Sequence, residues 1–438
     1  MTAIDPIDFI LNTSIDKYSQ EVLETAKLNV LDTLGIAVGG HGTKLSQIIR
    51  DVAAEEFGGT HPIVFDGRTA SESGVALAAG MMIDSLDGHD GFNPAKGHIG
   101  APLISALLPV AAANSVSGQR FLNAVVVGYE IGARVSVAQH GTCPDYHTSG
   151  SWGAVAAVAA ICNLLKIDRK TTRHALGIAE YHGPRSQMMR CIDHPTMVKD
   201  GAGWGAMTAV TAVKLAQKGF TGAPAITVED APNYWADLGN RWYTCEQYYK
   251  PYPVCRWAQG PIEGVLALRR KHDLTANMVD RIEVSTFHES VRLAMNEPKN
   301  TEEAQYSTSY PCAVAMVRGT VTPADIADDA LTDPEILRLS KGMVMAENDW
   351  ANEHFPQERF AKVTLHLKDG RRLESDWLEP IWDAKHPPSH DDLLNKFRDL
   401  ATPLLGSNRA SAIENAVLGL EGLSLSALTE HLFHPISD

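Results

Sequence analysis

Two consecutive stretches, "FLNAVVVGYEIGARVSVAQ" (121–139) and "GSWGAVAAVAAICNLLKI" (150–167), are apolar on nearly every side of a helix. A helix without a broad polar face must be covered all round, so a chain with two in succession has to build further helices around them. The sequence supplies those helices. "SQEVLETAKLNVLDTLGIAVGG" (19–40) sets Val22, Leu23, Ala26, Val30, Leu31 and Leu34 at helical spacing and stops at a glycine pair. "TASESGVALAAGMMIDSLD" (69–87) carries Thr69 and Glu72 in capping-box spacing, which predicts a helix start there. Pro102 opens a further apolar helix, a position where its missing N–H costs nothing.

Beyond about residue 270 the period changes. "DRIEVSTF" (280–287) alternates as a strand does, and "RFAKVTLHLKDGRRLESDWLEP" (359–380) reads as two strands joined by Lys-Asp-Gly. Asp333 and Pro334 mark a helix start between them, and the tail from 389 is helical again. The expected fold is mainly α. It comprises an all-helical domain over 1–265, joined by C-terminal helices over 389–438, and a smaller α+β domain over 266–388.

With 38 basic and 53 acidic residues the net charge is −15, which argues against nucleic acid as a partner. An anionic substrate would need cations gathered locally. The six cysteines are dispersed with no CxxC, so neither a zinc knuckle nor a redox dithiol is expected, and the thiols read as reduced. The N-terminus lacks the features of a signal or transit peptide, and no uninterrupted apolar run reaches the ~18 residues of a membrane span. The expectation is a cytoplasmic protein with no membrane partner.

Five stretches carry candidate chemistry. The first, "LDGHDGFNPAKGHIG" (86–100), is a polar, glycine-rich loop between two apolar helices. Such a loop either reaches the surface or lines a cavity, because its backbone groups need partners. Asp87, Asp90 and His98 allow an acid–base pair in which a carboxylate orients an imidazole, or a metal site of no defined spacing. In the second, His147 precedes Thr148 and Ser149 at the start of the Ala-rich helix, whose free N–H groups suit an anion. In the third, Lys199 precedes Gly201, Gly203 and Gly205. The G-x-G-x-G pattern argues against a dinucleotide loop and leaves an anion contact or tight helix packing. The fourth, "YYKPYPVCRWAQG" (248–260), offers Lys250, Tyr252 and Arg256 in a proline-stiffened loop suited to carboxylates. The fifth, "AQYSTSYPCAVAMVRG" (304–319), contributes Tyr306 and Tyr310 ahead of a small apolar helix.

Taken in order, these stretches resemble the MmgE/PrpD family. "KPYPVCRW" and the Asp-to-Gly-His loop are the most specific parts, and the resemblance covers nearly the whole chain. It implies an all-helical domain with an α+β lid, a homodimer, and activity of the 2-methylcitrate dehydratase, cis-aconitate decarboxylase or iminodisuccinate epimerase type. It also implies that Asp87, His98, His147 and Tyr310 are catalytic and that Lys199 and Lys250 bind substrate. Arg256, Tyr252 and His89 complete the expected substrate-binding set. His89 replaces an acid found in many relatives, and Gln259 stands where many carry histidine, so poor activity on 2-methylcitrate itself is expected.

These reactions share one difficulty, the build-up of negative charge on a carbon next to a carboxylate. Cations in a water-excluded site stabilise that charge and imidazoles move the proton. The expected function is a cofactor-independent, metal-free lyase acting on a small polycarboxylate, dehydratase first, with a decarboxylase or epimerase as the alternative. A metal-dependent hydrolase using the Asp-His loop is the reading from another class.

Overall fold

The computed structural model describes residues 4–143, 145–293 and 295–436. Its larger unit is a helical bundle. Helix α1 (Gln20–Gly40) starts at Ser19, α2 spans Glu72–Asp84, α3 Gly100–Ala113, α4 Gly118–Thr142, α5 Ser149–Leu165 and α6 Ala202–Gln217. The expected cap at Thr69 is corrected: Ser71 caps α2 by accepting from the Gly74 N–H at 3.2 Å, while Thr69 pairs with Pro62 in a short strand.

The two apolar stretches are α4 and α5, which pack on each other. Helix α5 is further covered by α3 and α6, and α6 by α2. Of the described helices, α4 is the one long and apolar enough to cross a membrane, and 89% of its apolar window is buried inside the fold. The Gly201–Gly205 run answers to this packing. A Cβ on Gly80 of α2 would lie 2.5 Å from the Cα of Gly203, so these helices cross at backbone contact.

The smaller unit contains α7 (Arg256–Lys271), β1 (Val279–Thr286), α8 (Ser309–Arg318), β2 (Val344–Glu347), β3 (Ala361–Leu367) and β4 (Arg372–Glu374). The sheet order is β2–β1–β3–β4. Strand β2 runs parallel to β1, and the other pairs are antiparallel. Strand β1 buries Ile282, Val284 and Thr286 on one face, the alternation read at 280–287. Helix α7 lies across α8 and β3, so residue 265 falls inside an element of the sheet unit. The chain then returns through α9 (His390–Leu418), capped reciprocally by Ser389 and Asp392 and packed on α1. Asp333 caps helix Pro334–Lys341 as its sequence predicts.

Candidate active site

The polar loop 86–100 is not a surface loop. Residues 86 to 92 are all buried. The loop is pinned to the 248–250 segment by reciprocal backbone hydrogen bonds between Gly91 and Tyr248, at 2.9 and 2.7 Å. Position 91 requires glycine because a Cβ would meet the Tyr248 ring at 2.4 Å. This bridge carries Lys250 to Asp87.

The Lys250 ammonium lies 2.6 Å from Oδ1 of Asp87 and also donates to the Asp87 carbonyl. His98 Nε2 reaches the same carboxylate oxygen at 3.1 Å. Its Nδ1 faces the Asp90 carbonyl oxygen at 2.7 Å. A carbonyl only accepts, and so does a carboxylate, so each nitrogen of His98 has an acceptor before it. The ring satisfies both only as an imidazolium. His98 is therefore oriented at both nitrogens, by Asp87 and by the Asp90 carbonyl. Burial works to raise the Asp87 carboxyl, but the charges of Lys250 and His98 hold it well below the usual carboxylate range.

His89 lies behind His98, ring centroids 4.3 Å apart, and is fully buried. Its Nδ1 donates to the same Asp90 carbonyl at 3.2 Å. Burial, reinforced by the charge of His98, lowers its pKa, so this ring is neutral. Asp90 accepts from the Tyr129 hydroxyl at 2.9 Å, and burial pushes its carboxyl up to about 6.

A cavity of about 30 Å³ lies beside this group. It is lined by Asp87 and His98, by Lys96, Arg256 and Arg359, and by Asp200, Tyr146 and Tyr248 among others. By that measure the space between these side chains is narrow. Three residues of the site, Asp87, Lys96 and Lys199, have left-handed backbone conformations with φ of 47°, 54° and 50°. Such strain outside glycine is expected where a side chain must be aimed.

Lys199 is 1% exposed, and its Nζ has no hydrogen-bond partner among the described residues. It stands 4.7 Å over the Tyr306 ring. Burial lowers its pKa against the pull of Glu302 and Asp87. The adjacent Asp200 lines the cavity and accepts from the Ser149 backbone N–H at 2.8 Å. The start of α5, expected to hold a substrate anion, is thus occupied by a carboxylate of the protein itself. Burial and the neighbouring Asp84 raise the Asp200 pKa well above the ordinary range.

Of the expected residues, His89, His147, Lys199, Lys250, Tyr252 and Tyr310 do not line the cavity. Both ring nitrogens of His147 are buried without hydrogen-bond partners among the described residues, and Tyr146, not His147, lines the cavity. Tyr252 points away, its hydroxyl donating to Glu263 at 2.5 Å. Tyr310 turns its hydroxyl to the carbonyls of Asp325 and Ala330, both at 3.4 Å, and Tyr306 occupies the place beside Lys199. Gln259 is buried and spends its amide on the backbone of Tyr252 and Val254. Neither Gln259 nor His89 faces the cavity, which removes the ground for expecting poor activity on 2-methylcitrate. Conversely, Lys96, Tyr248 and Asp200 were legible as neighbours of residues already singled out. Arg359 had no such signal, since it reaches the site from 266 residues beyond its partner Asn93.

Asp87, His89 and His98 bring ligand-capable atoms within 4.8 Å of one another. The donor set does not fit a divalent cation. The shared Asp87 oxygen already carries the Lys250 ammonium, and both nitrogens of His98 are committed as donors.

A helical bundle and a small α+β unit thus enclose a buried acid–base group walled by cations. Family models describe such a chain in two parts: the MmgE/PrpD N-terminal domain matches residues 7–236 and the C-terminal domain residues 252–421. The chain belongs to the MmgE/PrpD family. It is 24% identical to cis-aconitate decarboxylase of Aspergillus terreus over 97% of this chain and 94% of the relative. It is likewise 24% identical to the mouse protein of that name, over 96% and 91%. Against mitochondrial 2-methylcitrate dehydratase of Yarrowia lipolytica the identity is 24%, over 90% and 82%.

Proposed function

We propose that this protein is a cofactor-independent lyase acting on a small di- or tricarboxylic acid, with proton transfer next to a substrate carboxylate. The observation that carries the reading is His98, held between the Asp87 carboxylate and the Asp90 carbonyl at the wall of a cation-lined cavity. Lys96, Arg256 and Arg359 supply the positive field in which charge on the reacting carbon or its carboxylate is stabilised. To act as the acid, His98 gives up its Nε2 contact with Asp87 and donates that proton to a departing hydroxyl or to the carbon that has lost carbon dioxide, the Asp87 carboxylate stabilising the imidazolium until then.

Dehydration of a 2-methylcitrate-type hydroxy acid is the first reaction to test. It also needs a base. Asp200, a carboxyl group in the cavity wall held at the start of α5 by Ser149, is the candidate. Decarboxylation of a cis-aconitate-type acid is the second reading. It is favoured by relatives that carry that name.

The experiment is a panel of citrate, 2-methylcitrate, cis-aconitate, tartrate isomers and iminodisuccinate in deuterium oxide, followed by NMR. Loss of water or carbon dioxide from one acid, with deuterium entering at a carbon next to a carboxylate, is expected. Binding of an acid with neither exchange nor conversion overturns the reading. Conversion of iminodisuccinate alone would move it to epimerisation.

A further inference from the structure

Lys96 and Arg359 both line the cavity, yet neither forms an ion pair among the described residues. Arg359 is 6% exposed. It spends one guanidinium nitrogen on Asn93 Oδ1, at 3.0 Å, and its buried Nε has no hydrogen-bond partner among the described residues. The nearby Asp383 carboxylate is already taken, by Arg256 at 2.9 Å and by the Asn93 amide at 2.5 Å. Lys96 rests 4.7 Å over the Tyr146 ring in a left-handed backbone conformation. Burial lowers its pKa and the charge of Arg359 lowers it further, against the pull of Glu289. Two cations facing one cavity in a chain of net charge −15 suit an anion placed between them.

The two residues come from different units. Lys96 belongs to the loop between α2 and α3, and Arg359 stands two residues before β3. We propose that Lys96 and Arg359 form a carboxylate subsite bridging the helical and sheet units, which receives the substrate carboxylate remote from His98. The subsite rests on the polycarboxylate reading above. It adds the residues that distinguish an acid with a second carboxylate from one without.

The test is calorimetric titration of glutarate and of valerate, which has a methyl group in place of one carboxylate, into wild type, Lys96→Met and Arg359→Gln. Folding is checked by circular dichroism. Wild type is expected to prefer glutarate at least tenfold, and the preference to fall within twofold in each variant. Arg359→Lys keeps the charge but loses the planar fork, and serves if the Gln variant does not fold. Its preference should fall at least threefold. An unchanged preference in folded variants overturns the subsite, as does equal binding of the two acids by wild type. Glutarate binding lost in Lys199→Met but intact in Lys96→Met and Arg359→Gln removes the subsite and keeps the lyase reading. Absence of binding by either acid to wild type counts against both.

Discussion

Asp87 and His98 are joined through one oxygen: His98 Nε2 lies 3.1 Å from Asp87 Oδ1, the same atom that receives the Lys250 ammonium at 2.6 Å. Asp87→Asn keeps the shape and removes the charge that stabilises the imidazolium. Turnover should drop by about 10²–10⁴-fold, the usual worth of a positioned acid or base. Steady-state kinetics on the substrate found in the panel, with the melting temperature as control, measure it. Turnover within threefold of wild type would sink the assignment.

Lys250 is fully buried, so its removal is a stability experiment as well as a catalytic one. Lys250→Met leaves the Asp87 carboxylate buried with His98 alone. Breaking a buried pair in this way costs about 3–5 kcal/mol. Since the pair depresses the folded-state pKa of Asp87, its contribution is complete above the ordinary carboxylate value of about 4 and is lost as pH falls below it. Urea titrations across pH 3 to 7 should place the acid unfolding of Lys250→Met at higher pH than that of wild type. Coincident acid limbs would refute the pairing.

Asp90 gives the opposite sign. Burial pushes its carboxyl up to about 6, so the fold prefers the neutral form. Its contribution is complete below the unfolded value of about 4 and is lost as pH rises through about 6. A rise of about two units corresponds to roughly 2–3 kcal/mol. Asp90→Asn keeps an acceptor for the Tyr129 hydroxyl and should gain stability over wild type at pH 8 but not at pH 4. An equal difference at both pH values would show that Asp90 is not titrating in this range.

The helices were legible because uninterrupted apolar runs leave little choice of structure, and the loop acids because polar residues between buried helices need a cavity. The tyrosines were not. In "YSTSYP" two tyrosines stand four apart, and only the turn into α8 decides that Tyr306 meets Lys199 while Tyr310 meets the carbonyls of Asp325 and Ala330. Lys250 and Tyr252 would share a face of an extended strand, but the flanking Pro251 and Pro253 break that alternation. Tyr252→Phe and Tyr310→Phe should therefore leave kcat within twofold of wild type. Tyr252→Phe loses the hydrogen bond to Glu263, worth about 1–2 kcal/mol on chemical denaturation. A hundredfold fall in kcat for Tyr310→Phe would return it to the site.

Metal removal addresses the competing reading of the Asp-His loop. Asp87, His89 and His98 come close enough to hold an ion, but an ion there would have to displace the Lys250 ammonium from Asp87 and strip a proton from His98. Dialysis against a strong chelator should leave turnover within 20% or so of the starting rate, because no step of the proton transfer runs through the displaced cation. Added zinc should inhibit, since it competes with Lys250 for the carboxylate and takes the lone pair that His98 uses to carry its proton. Activity lost on chelation and restored by one equivalent of metal would favour the hydrolase reading and reverse the roles of Lys250 and His98.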